Sequence, residues 1–140
     1  MNNISEHITY EEAIYSQIAI KNNIQNTPNE TELLAMRTVA NKVFEPLRNG
    51  IGKPIRIDSF FRTRQLNNII PGSSSTSQHM KGEAIDIQGM AGVTNKELFD
   101  YIKDNLEFDQ LIWEYGTDKE PAWIHVSYSN HNRKQILYIK

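Results

Sequence analysis

The chain has 140 residues, one domain's length, and its 39% apolar and 23% charged content excludes a disordered chain. Lys and Arg number 15 against 17 Asp and Glu, a net charge of −2, so no basic excess exists to neutralise a nucleic-acid backbone. Cys is absent, which excludes disulfides and thiolate metal sites and leaves His, Asp and Glu as the only strong metal ligands.

Residues 1–8 read as a flexible N-terminus, without the charged and apolar regions of a signal peptide. Thr9-Tyr10-Glu11-Glu12 is a capping box that predicts a helix to about Ile20. Asn22 to Asn29 reads as a loop. From about Glu30, apolar residues Leu33, Leu34, Ala40, Val43, Phe44 and Leu47 keep helical spacing; Pro46 should bend or end this helix and Gly50 close it. Pro54 to Ser59 alternates as a strand, and Arg62 to Ile69 fits a short helix. After the polar loop Pro71 to Ser77, Ala84 to Gln88 alternates again. Thr94-Asn95-Lys96-Glu97 is a second capping box, opening a helix to about Asn105. Phe108 to Tyr115, Trp123 to Ser129 and Gln135 to Ile139 read as closing strands, with Leu111, Trp113 and Tyr115 facing the core. Helices first and strands later predict an α+β fold: N-terminal helices on a small, mostly antiparallel sheet, in a single domain over residues 1–140. No apolar run approaches a membrane span.

Chemistry concentrates at two of the four histidines. If Ile85 and Ile87 face the core, Asp86 faces the other way; His125 repeats this between Ile124 and Val126. His79 closes the loop before the Asp86 strand. A His/Asp/His set with one position left open suits a catalytic zinc, which acidifies a bound water. The same spacing also suits polar groups merely satisfied within a core. His7 and His131 read as exposed.

Ser59-Phe60-Phe61-Arg62-Thr63, Asn67, Gly72-Ser73, Ser77-x-His79-x-x-Gly82-x-Ala84-x-Asp86 and Trp123-x-His125-x-Ser127 together resemble the zinc D-alanyl-D-alanine carboxypeptidase family, metallopeptidase family fifteen. That group is related to VanX dipeptidases, phage endolysins and Hedgehog N-domains. The likeness runs from about Thr9 to Tyr128, and Asn26-Thr27-Pro28 with Glu45-Pro46-Leu47-Arg48 resemble its subfamily A. It implies a Hedgehog/DD-peptidase-like fold and a Zn2+ held by His79, Asp86 and His125. Arg62 would meet a substrate carboxylate or the developing oxyanion; without the resemblance it reads as a surface ion-pair residue. Many relatives carry an acid three residues before the last His ligand, but Ala122 stands there. The general base is therefore sought among Glu114, Asp118 and Glu120, with Glu114 preferred because alternation turns it to the cleft.

The implied activity is hydrolysis of peptidoglycan peptide bonds, of D-Ala-D-Ala carboxypeptidase or L-Ala-D-Glu endopeptidase type. The partner would be a stem peptide or muropeptide, met by a monomer that binds neither nucleic acid nor membrane. A chain made in the cytoplasm without a signal would reach the wall through phage-mediated release or delivery, as a lysis or tail-associated enzyme. The rival reading is an inactive, zinc-containing binding or virion-structural module of the same fold.

Overall fold

Side-chain caps set the ends of the helices in the computed structural model, which describes residues 2–140. Thr9 caps α1 (Tyr10–Ile14), accepting from the Glu12 N–H while the Glu12 carboxylate accepts from the Thr9 N–H. The expected run to Ile20 is interrupted. Tyr15 turns extended, and the Ser16 hydroxyl accepts from the Ala19 N–H to start α2 (Gln17–Lys21). A serine that can satisfy a backbone donor locally competes with helix continuation.

Asn29 and Glu32 form the reciprocal cap of α3 (Glu30–Val39). Pro46 does not end this helix. A π turn over Ala40–Phe44 precedes it, with the Glu45 N–H reaching back to the Ala40 carbonyl, and α4 (Glu45–Ile51) continues beyond. The wider turn accommodates a residue that has no N–H to give and whose ring crowds the preceding turn. Gly52, at φ 74, takes the left-handed closing position expected of Gly50. Gly50 instead lies inside α4, where a Cβ would come within 2.0 Å of the Tyr101 hydroxyl on α6 (Asn95–Asn105).

α5 (Arg64–Ile69) is capped by Thr63, and α6 by Thr94. The five strands are β1 (Ile55–Ser59), β2 (Ala84–Gly89), β3 (Gln110–Glu114), β4 (Trp123–Ser127) and β5 (Gln135–Ile139). They form one sheet in the order β1-β2-β4-β3-β5, antiparallel except for the parallel β3–β5 pair. The fold is α+β, as the order of elements predicts.

Alternation divides the sheet into two faces. Ile85, Ile87, Leu111, Trp113, Ile124 and Val126 join Met36, Val43, Phe44, Leu47, Leu98, Phe99 and Ile102 from the helices in one core. Each such fully buried side chain contributes roughly 1.5–3 kcal/mol. The other face carries Asp86, His125 and Glu114 beside Ile112 and Trp123.

The N-terminus departs from the expected flexible segment. Ile4 and Ile8 are core residues at 2% and 0% exposure, and the Ile4 N–H bonds the Ile8 carbonyl at 2.9 Å. The Glu45 carboxylate fastens the segment: it accepts from the Ser5 hydroxyl at 2.6 Å and the His7 N–H at 2.9 Å, and meets His7 Nδ1 at 2.6 Å. Burial pushes the Glu45 carboxyl up, but the bonds from His7 and Ser5 outweigh it and hold the group below its ordinary value. His7 is accordingly half-buried rather than exposed. Ile8→Ala should therefore cost about 2–5 kcal/mol in urea unfolding, the range for a filled core site; a loss near zero would restore the flexible terminus.

Candidate metal centre

In the β2–β4 ladder Asp86 lies directly opposite His125. Their neighbours Ile85, Ile87, Ile124 and Val126 are fully buried in the core, so both polar side chains project from the opposite face. The His125 Nδ1 stands 3.1 Å from one Asp86 oxygen.

His79 arrives from a 3-10 turn over Gln78–Lys81, where the Ser77 hydroxyl accepts the His79 N–H. Gly82 ends the turn at φ 74, and a Cβ there would lie 2.5 Å from the Glu32 carbonyl of α3. Only glycine both takes that conformation cheaply and permits that approach. The His79 ring is buried, and its Nδ1 lies 2.6 Å from the Phe60 carbonyl. A carbonyl only accepts, so Nδ1 carries the proton and Nε2 the lone pair. That Nε2 is buried without a hydrogen-bond partner, 3.2 Å from the other Asp86 oxygen.

A single carboxylate therefore stands between two rings, with Arg62 3.9 Å away. Burial pushes Asp86 up, but His79 and His125 outweigh it and hold the carboxyl well below the usual range, so it is ionised. Burial pushes His79 down, which favours the neutral ring despite Asp86. Holding a carboxylate 3.2 Å from the His79 Nε2 takes positive charge between the two atoms, and since burial disfavours a second proton on the ring, a cation fits there. One atom from each of His79, Asp86 and His125 lies within 4.8 Å of the other two. Two imidazole nitrogens and one carboxylate oxygen are a donor set for a divalent transition metal. The set lines a cleft of about 1100 Å³.

A sequence model of the family described as Peptidase M15 matches residues 6–127. The chain belongs to this metallopeptidase family. A search of curated proteins found no match.

The remaining M15 candidates separate by position. Arg62 is largely buried in the same cleft, its Nη2 3.9 Å from Asp86 and its Nη1 3.4 Å from the Asn67 side chain. Burial lowers the pKa of its guanidinium, with Asp86 and Glu114 opposing. Its Nε is buried without a partner. Glu114 also lines the cleft. Burial raises its carboxyl pKa, and Asp86 adds to this while His125 and Arg62 oppose it. Glu120 is turned away, its carboxylate accepting the Asn95 N–H at the start of α6. Asp118 is almost fully exposed beside Lys140. Leu111 and Trp113 face the core as expected, but Tyr115 does not: it is 50% exposed and lines the cleft. β3 ends at Glu114, and φ 55 at Tyr115 takes that side chain out of the alternation.

Sequence reading did not find the Phe60 carbonyl that fixes the His79 tautomer, because a backbone acceptor leaves no side-chain signal. Nor did it find Asp109. This buried carboxylate accepts from Gln78, the residue before His79, at 2.9 Å, and from the Arg133 N–H, Nε and Nη2 at 3.0, 2.8 and 3.0 Å. It thereby ties the His79 turn to the segment leading into β5. The bonds from Arg133 hold the Asp109 pKa down at about 2, against 3.8 ordinarily. A folded value below the unfolded one stabilises the fold above the unfolded pKa and stops doing so as pH falls through the folded value. Asp109→Asn should lower the melting temperature at neutral pH and flatten its decline between pH 4 and pH 2; an unchanged acid limb would show that the clamp is not holding the fold.

Proposed function

We propose that the chain is a zinc-dependent peptidase that hydrolyses peptide bonds of bacterial peptidoglycan. The observation that carries this reading is the unpartnered His79 Nε2 facing the ionised Asp86, with His125 on the other carboxylate oxygen. His79, Asp86 and His125 would hold the ion. Zinc, when bound, supplies Lewis acidity and lowers the pKa of water to about 7.

The protein's own groups account for the rest. Glu114 is the general base: burial keeps its carboxyl pKa above that of an ordinary glutamate, which suits a group that takes a proton from the attacking water and returns it to the leaving amine. Arg62, a buried cation with an unused Nε, holds the developing oxyanion or a substrate carboxylate. The substrate is a stem peptide or muropeptide cleaved by a monomer, in a phage lysis or tail-associated setting. Product analysis distinguishes D-Ala-D-Ala carboxypeptidase from L-Ala-D-Glu endopeptidase action. None of the described helices is long and apolar enough to cross a membrane.

One observation favours a second reading. Ala122 leaves the position three residues before the last His ligand without an acid, as a binding module of this fold that does not cut would allow. Purified muropeptides incubated with the protein, with and without a chelator, separate the two. The enzyme gives new products that the chelator abolishes, and Glu114→Gln slows cleavage by about 10²–10⁴-fold while zinc content stays at parity with wild type. Zinc bound without cleavage of any wall type supports the module, and no bound metal sinks both readings.

A further inference from the structure

Tyr115 is the first residue beyond β3, and its backbone lies in the left-handed region at φ 55. Glycine or asparagine adopts that conformation at least cost, and a bulky side chain there is an outlier. The neighbours dictate the conformation. The Tyr115 N–H donates to the Ile139 carbonyl at 2.7 Å, and Gly116 follows at φ 75, where a Cβ would lie 2.3 Å from the Glu120 carbonyl. The turn therefore asks for a small or polar residue and carries a tyrosine instead.

What the tyrosine adds is a ring that serves no core. It is 50% exposed and packs on Trp123, with centroids 5.4 Å apart and planes tilted 46°. Trp123 stands two residues before His125 on the same face of β4, opposite Glu114 of β3. With Ile112 and Ile139, these rings also line the metal-group cleft. Strain retained at a cleft beside reactive groups points to use of the strained side chain.

Sheet order gives the cleft a direction. Arg56 belongs to β1, at one edge, and Arg62 follows that strand; Tyr115 and Ile139 belong to the β3–β5 side, at the other edge. The carboxylate–imidazole group on β2 and β4 lies between them. One end of the cleft carries Arg62 beside the Arg56–Asp58 ion pair, and the other is aromatic and apolar with Glu114 as its charge.

We infer that Tyr115 and Trp123 form a specificity wall that receives an uncharged, apolar-faced group of the substrate on the side of the scissile bond away from Arg62. This deepens the peptidase reading above and rests on it. Rigid aromatic side chains supply such contact at low entropic cost.

The test compares wild type, Tyr115→Asn and Tyr115→Phe in muropeptide hydrolysis, in muropeptide binding followed by tryptophan fluorescence, and in thermal melting. Asparagine fits the left-handed backbone, so Tyr115→Asn should melt at or above the wild-type temperature. Its KM and dissociation constant should rise about five- to tenfold, while kcat moves by less than about twofold, the pattern of lost uniform binding. Tyr115→Phe should stay near wild type. Unaltered KM and affinity in Tyr115→Asn overturn the wall and leave the peptidase standing, as does a lowered melting temperature with kcat and affinity falling together. A wild-type protein that cleaves no muropeptide overturns both.

Discussion

Asp86 stands in the middle of a sheet, almost out of water, between two imidazoles. Burying a carboxylate is costly, and one left alone there would take up a proton. It remains ionised only where positive charge is shared with the two imidazoles that approach its oxygens, and the rest of the site follows from that requirement. The β2–β4 register supplies one imbalance-correcting ring directly, by placing His125 opposite Asp86. The second ring must come from outside the sheet, and the turn that carries it is correspondingly constrained.

That turn is fixed from three directions. Phe60, just past β1, orients the ring; Gly82 lets the backbone close against the Glu32 carbonyl of α3; and Asp109 grips Gln78. The helical layer and the sheet edge therefore both bear on a single imidazole. The core beneath contributes rigidity, since a close-packed interior transmits displacement rather than absorbing it. The His79–Asp86–His125 group thus depends on residues remote from it in sequence, including the α3 turn that Asn29 and Glu32 cap.

Local physics was legible in the sequence where it was strong and short in range. Alternation at Ala84–Gln88 and Trp123–Ser127 fixed which side chains share a face, so the convergence of Asp86 and His125 followed once the two strands paired. Capping at Thr9, Asn29 and Thr94 is equally local, although the start of α3 was read from its apolar spacing. The departures are long-range or conformational. Ile4 and Ile8 looked loose because the clasp that secures them is Glu45, far along the chain. Pro46 looked like a bend or a terminus because the π turn that accommodates it has no composition of its own. Tyr115 looked like the next inward residue of β3 because alternation cannot foresee where a strand stops.

Two carboxylates share the cleft, and their surroundings push them in opposite directions. Asp86 has an imidazole at each oxygen and is held low; Glu114 is desolvated, feels the charge of Asp86, and is held high despite His125 and Arg62. On the function proposed above, environments that separate like groups in this way suit them to different work, a fixed anionic ligand and a group able to accept and release a proton. On the same proposal, an alanine at position 122 is consistent with the fold. Glu114 faces Trp123 across the β3–β4 ladder while Ile112 faces His125, so Glu114 is a diagonal neighbour of His125 on the cleft face. A carboxylate from the adjacent strand thus lines the same cleft as the three-residue group. Two carboxyl groups there, both close to Asp86, would repel each other and force one to remain protonated.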